Sequence, residues 1–117
     1  MNLAEMCERY RKLYTPAVAD ALDKQGYWNQ IMAHSLQPLR LGMKLAGPAF
    51  TMLGTPSRET DKTKRLAPQA LDAITPHVVA VMATSGDQHT GHWGELMTAA
   101  ALYRGCTGAV VEGGIRD

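Results

Sequence analysis

Residues 94–117 read GELMTAAALYRGCTGAVVEGGIRD and combine a helical pattern with a strand pattern. Residues 93–104 are rich in Ala, Leu and Met, and Gly105 follows them with the conformational freedom that helix C-termini favour, which predicts a helix of about three turns. Residues 107–111 are apolar and partly β-branched, and glycines bound them, so they predict a strand covered on both faces. The stretch therefore indicates one helix-to-strand unit of a parallel sheet.

The two ends of this unit are expected to meet in space. In a crossover between parallel strands, the helix runs antiparallel to the strands, so its N-terminus lies at the same end of the sheet as the end of the next strand. About twelve helical residues and five or six strand residues both span about 18 Å. We therefore expect Glu95 to lie close to Arg116 and Asp117.

The residues at this corner have a defined chemistry. The first-turn amides around Leu96 and Met97 lack intrahelical acceptors and lie at the positive end of the helix dipole, so they can bind a carboxylate or phosphate. Arg116 adds a planar, two-pronged donor for such an anion. Glu95 and Asp117 offer hard oxygen ligands for Mg²⁺ or Mn²⁺. The corner predicts a metal-plus-carboxylate site, and a solvated turn beside a dipole-favoured glutamate remains the alternative.

The rest of the chain alternates helical and strand patterns. In order, we predict a helix at 3–13, a second helix with Thr15 as N-cap that stops at Gly26, one or two strands within 42–53, a short helix at 66–74 and a strand at 77–83. This order predicts a single α/β domain over residues 1–117, with a mixed or parallel sheet covered by helices.

The loop at residues 84–92 joins the strand at 77–83 to the last helix, at the edge where ligands commonly bind in open α/β sheets. We expect Asp87 first to fold this loop, with a supporting role beside the site as the alternative. His89 and His92 are not expected to bind zinc, because no helical face brings them together.

The composition argues against nucleic-acid binding and against a membrane protein. The chain has 117 residues, 45% apolar content and a net charge of +1, which gives no electrostatic case for nucleic-acid binding. Its apolar runs are far too short to cross a bilayer, and no secretory signal pattern opens it, so we expect a cytoplasmic protein without a membrane partner. Cys7 and Cys106 are expected to be reduced thiols that are buried or half-buried.

The segment WGELMTAAALYRGCTGAVVEGGIRD places twenty residues between Glu95 and the Arg116-Asp117 pair. It resembles the signature of the RraA-like family, which contains 4-hydroxy-4-methyl-2-oxoglutarate aldolase and the regulator of ribonuclease activity A. TPAVADALDKQG at 15–26 and LAGPAFTM at 45–52 are similar to the family's N-terminal helix and first sheet strand. The resemblance implies a swivelling β/β/α domain that assembles as a homotrimer or a hexamer.

The resemblance also implies an activity. Aldolases of this family need a divalent metal and no Schiff base, cleave 4-hydroxy-4-methyl-2-oxoglutarate or 4-carboxy-4-hydroxy-2-oxoadipate to release pyruvate, and often decarboxylate oxaloacetate. By position, Asp117 would bind Mg²⁺ or another divalent metal, Glu95 would hold metal-bound water, and Arg116 would lie beside the pyruvyl oxygen. The backbone that would hold the pyruvyl carboxylate is that of Gly94, Leu96 and Met97.

The sequence departs from the family pattern at two points, and these leave alternatives to the aldolase function open. Family aldolases commonly carry Asp at the position of Glu95, and family members continue for roughly another half of their length, with an acidic residue that completes the metal site of a neighbouring subunit. This sequence is therefore expected to be the N-terminal part of the family length, truncated at Asp117. The alternatives to an aldolase are a non-catalytic regulator that binds an RNA-degrading enzyme and an inactive fragment.

Overall fold

The computed structural model describes all of residues 1–117. The chain forms two compact units, an N-terminal unit of Met1–Ala46 and a C-terminal unit of Gly47–Asp117. The assignment of residues 1–117 to a single domain stays a prediction. None of the four α-helices has the length and apolar character that a membrane span requires.

The N-terminal unit contains two helices, α1 at Leu3–Lys12 and α2 at Thr15–Lys24. A capping box begins α1, because the Asn2 side chain accepts the Glu5 amide at 2.9 Å while the Glu5 carboxylate accepts the Asn2 amide at 3.3 Å. The expected N-cap at Thr15 is wrong by one residue. Tyr14 occupies the cap position without a side-chain hydrogen bond, and a proline follows in the first turn, where a missing amide costs nothing.

The C-terminal unit carries two small sheets and two helices. Its elements are β1 at Ala49–Leu53, a 3₁₀ turn at Lys62–Lys64, α3 at Ala67–Asp72, β2 at Val79–Ala83, β3 at Gly91–Trp93, α4 at Glu95–Tyr103, β4 at Gly108–Val111 and β5 at Gly114–Ile115. The larger sheet is wholly parallel, in the order β1-β2-β4. The predicted α/β class, with a parallel sheet and helices, is confirmed.

The core of the C-terminal unit lies around β2. Ala80 in β2 is fully buried, whereas the flanking strands β1 and β4 have no fully buried residue and contribute partly buried side chains to the core. The buried members of this core are Ile74, Val78, Ala80, Met82, Trp93, Ala101 and Cys106. Both cysteines of the chain are free and buried, as predicted. The apolar run of β2 is therefore explained by its central position in the sheet.

Several details differ from the sequence expectations. Trp93, expected in the last helix, lies in β3, and Gly94, in an extended conformation, is the N-cap that precedes α4. The strand expected within 42–53 is confined to Ala49–Leu53, since Pro48 has no amide for a strand ladder. Gly108–Val111, expected to be covered on both faces, is half-buried because β4 lies at the edge of the sheet.

Candidate functional site

The parallel sheet brings the ends of three strands to one edge, here called the carboxyl edge. Gly54 follows β1, Thr84 follows β2 and Glu112 follows β4, so all three lie at this edge. Helix α4 begins after the loop that leaves β2. The carboxyl ends of parallel strands are where open α/β sheets generally bind ligands.

The Arg116-Asp117 pair lies against the residue that precedes α4. The Arg116 amide donates to the Trp93 carbonyl at 2.9 Å and so continues the pairing of β5 with β3. A Cβ atom on Gly94 would lie 3.2 Å from the Arg116 carbonyl oxygen and 3.7 Å from Oδ2 of Asp117. A Cβ on Gly91 would lie 3.0 Å from Cγ of Arg116. Glycines at both positions therefore allow the pair to sit beside the first turn of α4.

The first turn of α4 offers uncapped donors. Gly94 provides no side-chain hydrogen bond, and the first intrahelical bond is donated by Thr98 to the Gly94 carbonyl at 3.0 Å. The amides of Glu95, Leu96 and Met97 consequently have no acceptor within the helix. Leu96 is 85% exposed, so an anion can approach this turn from solvent.

The charged side chains at this corner are open to water. Arg116 is 72% exposed and Asp117 is 52% exposed, and Nε of Arg116 donates to Oδ1 of Asp117 at 3.2 Å. Glu95 is also exposed. Because an exposed arginine paired only with its sequence neighbour keeps most of its donors free, Arg116 can still bind a ligand carboxylate or keto oxygen.

The donor set fits a hard cation. No group of three or more His, Cys, Asp or Glu side chains is arranged to hold a metal ion. Mg²⁺ commonly takes only one or two carboxylates and keeps several waters, and Glu95 and Asp117 supply oxygen donors of that kind without nitrogen or sulfur. The metal, substrate and catalytic roles of Gly94, Glu95, Leu96, Met97, Arg116 and Asp117 stay predictions.

Asp87 folds the loop between β2 and β3, as predicted. Its Oδ2 atom lies 2.8 Å from Nε2 of His92, and the two side chains are 7% and 8% exposed. Its Oδ1 atom accepts the His89 amide at 3.0 Å. This amide, with the side chains of Thr90 and His92, lowers the pKa of Asp87 to about 2. The His92 ring is therefore bonded to the Asp87 carboxylate, whereas His89 contributes its backbone amide to the same residue.

Glu112 is a second structural carboxylate, and the sequence expectations missed it. Its Oε2 atom accepts the Thr84 amide at 2.7 Å, across 28 residues of sequence. That bond is the main cause of a lowered pKa for Glu112, and the amides of Gly86 and Ser85 add to it. One feature of the sequence could have indicated this role. Glu112 directly follows a predicted strand, and the loop amides at the carboxyl edge need acceptors.

Lowering the pH is expected to destabilise the carboxyl edge, because the pKa values of Asp87 and Glu112 are lowered in the folded chain. A lowered folded-state pKa contributes stability above the unfolded-state pKa, and this contribution is lost as the pH falls through the folded-state value. Unfolding temperature should therefore fall between about pH 4.5 and pH 2, the lower limit set by the pKa of Asp87 at about 2. Thermal unfolding followed by circular dichroism at each pH measures this.

Asp87→Asn and Glu112→Gln should each flatten this acid dependence. Asp20→Asn, at an exposed position of α2, is the matched control and should leave it unchanged. If the unfolding temperature depends on pH equally in the wild type and in both variants, Asp87 and Glu112 do not cause the acid dependence.

The chain matches the family model described as RraA-like, Aldolase/RraA, over residues 15–117. It is 34% identical over 100 residues to Protein DlpA of Legionella pneumophila subsp. pneumophila, a match that covers 86% of this chain and 16% of that protein.

Solved structures are also similar. A crystal structure described as novel cellulases from microbes associated with the gut ecosystem aligns with a TM-score of 0.91 and 32% identity, over 100% of this chain and 53% of that one. Streptomyces coelicolor RraAS2, described as an unusual member of the RNase ES inhibitor RraA protein family, aligns with a TM-score of 0.81 and 26% identity, over 97% and 55%. This chain thus spans about half the length of the solved structures and belongs to the RraA-like family.

Proposed function

We propose that this chain carries the pyruvate-binding half of the site of a divalent-metal-dependent aldolase. The observation that supports this most directly is the position of the Arg116-Asp117 pair against Gly94, next to the uncapped first turn of α4. A guanidinium, two carboxylates and free helix amides together suit a small acid that carries both a carboxylate and a keto oxygen.

The proposed substrates are 4-hydroxy-4-methyl-2-oxoglutarate and 4-carboxy-4-hydroxy-2-oxoadipate, with oxaloacetate decarboxylation as a side reaction. The amides of Leu96 and Met97, together with the Gly94 backbone, bind the pyruvyl carboxylate. Arg116 donates to the keto oxygen. Cleavage of the C3–C4 bond leaves its electron pair on the pyruvyl fragment as an enolate, so a donor placed at the keto oxygen stabilises the charge that develops there.

Glu95 and Asp117 complete the proposed site. Asp117 would hold Mg²⁺, Mn²⁺ or another divalent ion directly, and Glu95 would hold it through water. When bound, such an ion supplies Lewis-acid stabilisation of the enolate. Glu95 also orders a water that takes the proton from the C4 hydroxyl as that carbon becomes a keto carbon, and transfer of a proton from water to C3 of the enolate then gives pyruvate. We further propose a homo-oligomer, a trimer or a hexamer, for the complete protein.

Pyruvate release tests this function. The chain, beside a version extended to family length, is incubated with 4-hydroxy-4-methyl-2-oxoglutarate and with oxaloacetate, with Mg²⁺ or with a chelator, and pyruvate is followed by coupled reduction to lactate. A protein-free Mg²⁺ sample corrects for spontaneous decarboxylation. Release of reducing sugar from a cello-oligosaccharide is measured in a separate assay, because one similar structure is described among cellulases.

We expect chelator-sensitive pyruvate release from the chain or its extended version. Release by the chain itself assigns the activity to these residues, and release by the extended version alone makes the chain an inactive part of an enzyme. Absence of release from both overturns the aldolase proposal.

A non-catalytic regulator is the second candidate, favoured by the likeness to Streptomyces coelicolor RraAS2, described within an RNase inhibitor family. A regulator acts through protein contacts with an RNA-degrading enzyme. Inhibition of such an enzyme, unaffected by chelator or by Arg116→Ala and without pyruvate release, would support this candidate.

A further inference from the structure

We propose that the buried Asp87-His92 pair is a positioning pair that holds strand β3 in place and, through β3, sets the location of Arg116. The kinetic part of this proposal rests on the proposed aldolase function, whereas the structural part does not. Asp87 and His92 are not metal or substrate ligands in the proposed site.

Strand β3 needs support from outside its own sheet. It has only three residues and pairs with a two-residue strand, β5, with a register shift between Gly91 and Trp93. Two-stranded sheets are marginally stable in water by themselves. Since the Arg116 amide is held by the Trp93 carbonyl at 2.9 Å, any displacement of β3 moves Arg116 as well.

His92 provides that support through contacts outside the pair of strands β3 and β5. Gly91, next to His92, faces the aliphatic part of Arg116. The His92 ring instead lies between Asp87, 2.8 Å from Nε2, and Gly54 at the end of β1. A Cβ atom on Gly54 would lie 2.6 Å from Nδ1 of His92, so glycine there leaves room for the ring.

Asp87 is itself anchored, through one carboxylate oxygen and through its backbone. Oδ1 accepts the His89 amide at 3.0 Å, and the carbonyl of Asp87 packs on Gly113, where a Cβ would lie 2.7 Å away. The imidazole of His92 thus ties β3 to a fixed point between the ends of β2 and β4. Removing the imidazole leaves a buried carboxylate oxygen without its partner, which is costly enough to shift the loop.

The first test compares His92→Leu with His92→Gln, whose amide nitrogen can take the place of Nε2. His89→Leu is the matched control, because His89 lies in the same loop, is exposed and contributes only its backbone amide to Asp87. Hydrogen exchange at the Arg116 amide is measured by NMR, with the Glu112 amide, bonded to the Met82 carbonyl at 2.9 Å, as internal reference.

We expect exchange at Arg116 to be at least about 10-fold faster in His92→Leu, with Glu112 unchanged and with protection restored in His92→Gln. This readout needs no activity, so it stands even if no pyruvate is released. Equal protection of Arg116 in all variants overturns the proposal. If His92→Leu fails to fold, Gly54→Ala, which displaces the ring without removing a polar group, provides the same comparison.

The second test is kinetic. His92→Leu should lower kcat/KM for pyruvate release by about 10- to 100-fold, since a misplacement of about 1 Å in a catalytic group has effects of that size. In an Arg116→Ala background the same substitution should have little further effect, because His92 acts through Arg116. Additive losses in this double-mutant cycle would show a general destabilisation instead and overturn the positioning role.

Discussion

Arg116→Ala is expected to lower kcat/KM for pyruvate release by about 10²- to 10³-fold, the usual cost of removing one preorganised donor from a developing oxyanion. The side chain is 72% exposed and pairs only with Asp117, so its removal should leave the fold intact. The backbone amide of residue 116 still donates to the Trp93 carbonyl in the variant. The loss should therefore fall on catalysis, measured by steady-state pyruvate release at saturating Mg²⁺.

Arg104→Ala is the matched control. Arg104 lies at the C-terminal end of α4 and pairs with Asp72 at 2.6 Å, far along the helix from the proposed site. An exposed ion pair of this kind contributes little to stability, so activity should remain near that of the wild type. Arg116→Lys should recover only part of the activity, because lysine keeps the charge but loses the two-pronged geometry. Full activity in Arg116→Ala would show that Arg116 does not stabilise the enolate and would contradict the proposed role.

Gly113→Ala should have the largest effect on folding, a loss of roughly 2–5 kcal/mol in the free energy of unfolding. Gly113 has φ +88°, a left-handed conformation that costs an alanine roughly 1–2 kcal/mol. In addition, the new Cβ would lie 2.7 Å from the Asp87 carbonyl oxygen and 3.3 Å from Oγ1 of Thr84. The loop that holds Asp87 would have to move away, so urea denaturation should show a much lower midpoint.

Gly86→Ala separates the two causes. Gly86 also has positive φ, +80°, but no atom lies within 4 Å of a Cβ built on it. It should lose only the conformational part, roughly 1–2 kcal/mol. If the two variants lose the same stability, the close packing of Gly113 on the loop contributes nothing, and the anchoring of Asp87 on Gly113 is wrong.

Local patterns predicted the regular elements well where one periodicity dominated. The helix expected at 3–13 from its helical period is observed at Leu3–Lys12, and the strand expected at 77–83 from its apolar run is observed at Val79–Ala83. Gly105, at φ +79°, follows the last helix as expected. The parallel pairing of β1, β2 and β4 agrees with the mixed or parallel sheet predicted from alternating helices and strands, although their order was not predicted. Each of these predictions depends on residues that are neighbours in sequence.

Short strands and cross-loop bonds were not predictable in this way. Strands β3 and β5 have three and two residues, too few to produce a period, so Trp93 was assigned to the helix that follows it. Glu112 and Thr84 are 28 residues apart, and nothing in the pattern of either segment indicates that their hydrogen bond forms. Such contacts depend on how strands are placed side by side.

By itself, the sequence determined the α/β class, the helix-to-strand unit and the set of charged residues at its ends, because periodicity and spacing act along the chain. Only the tertiary structure decided that β5 pairs with β3, that the Arg116 amide donates to the Trp93 carbonyl and that Asp87 and His92 are buried together. The physical reason is that these contacts join segments from different strand ends, and their geometry exists only once the parallel sheet has aligned those ends at one edge.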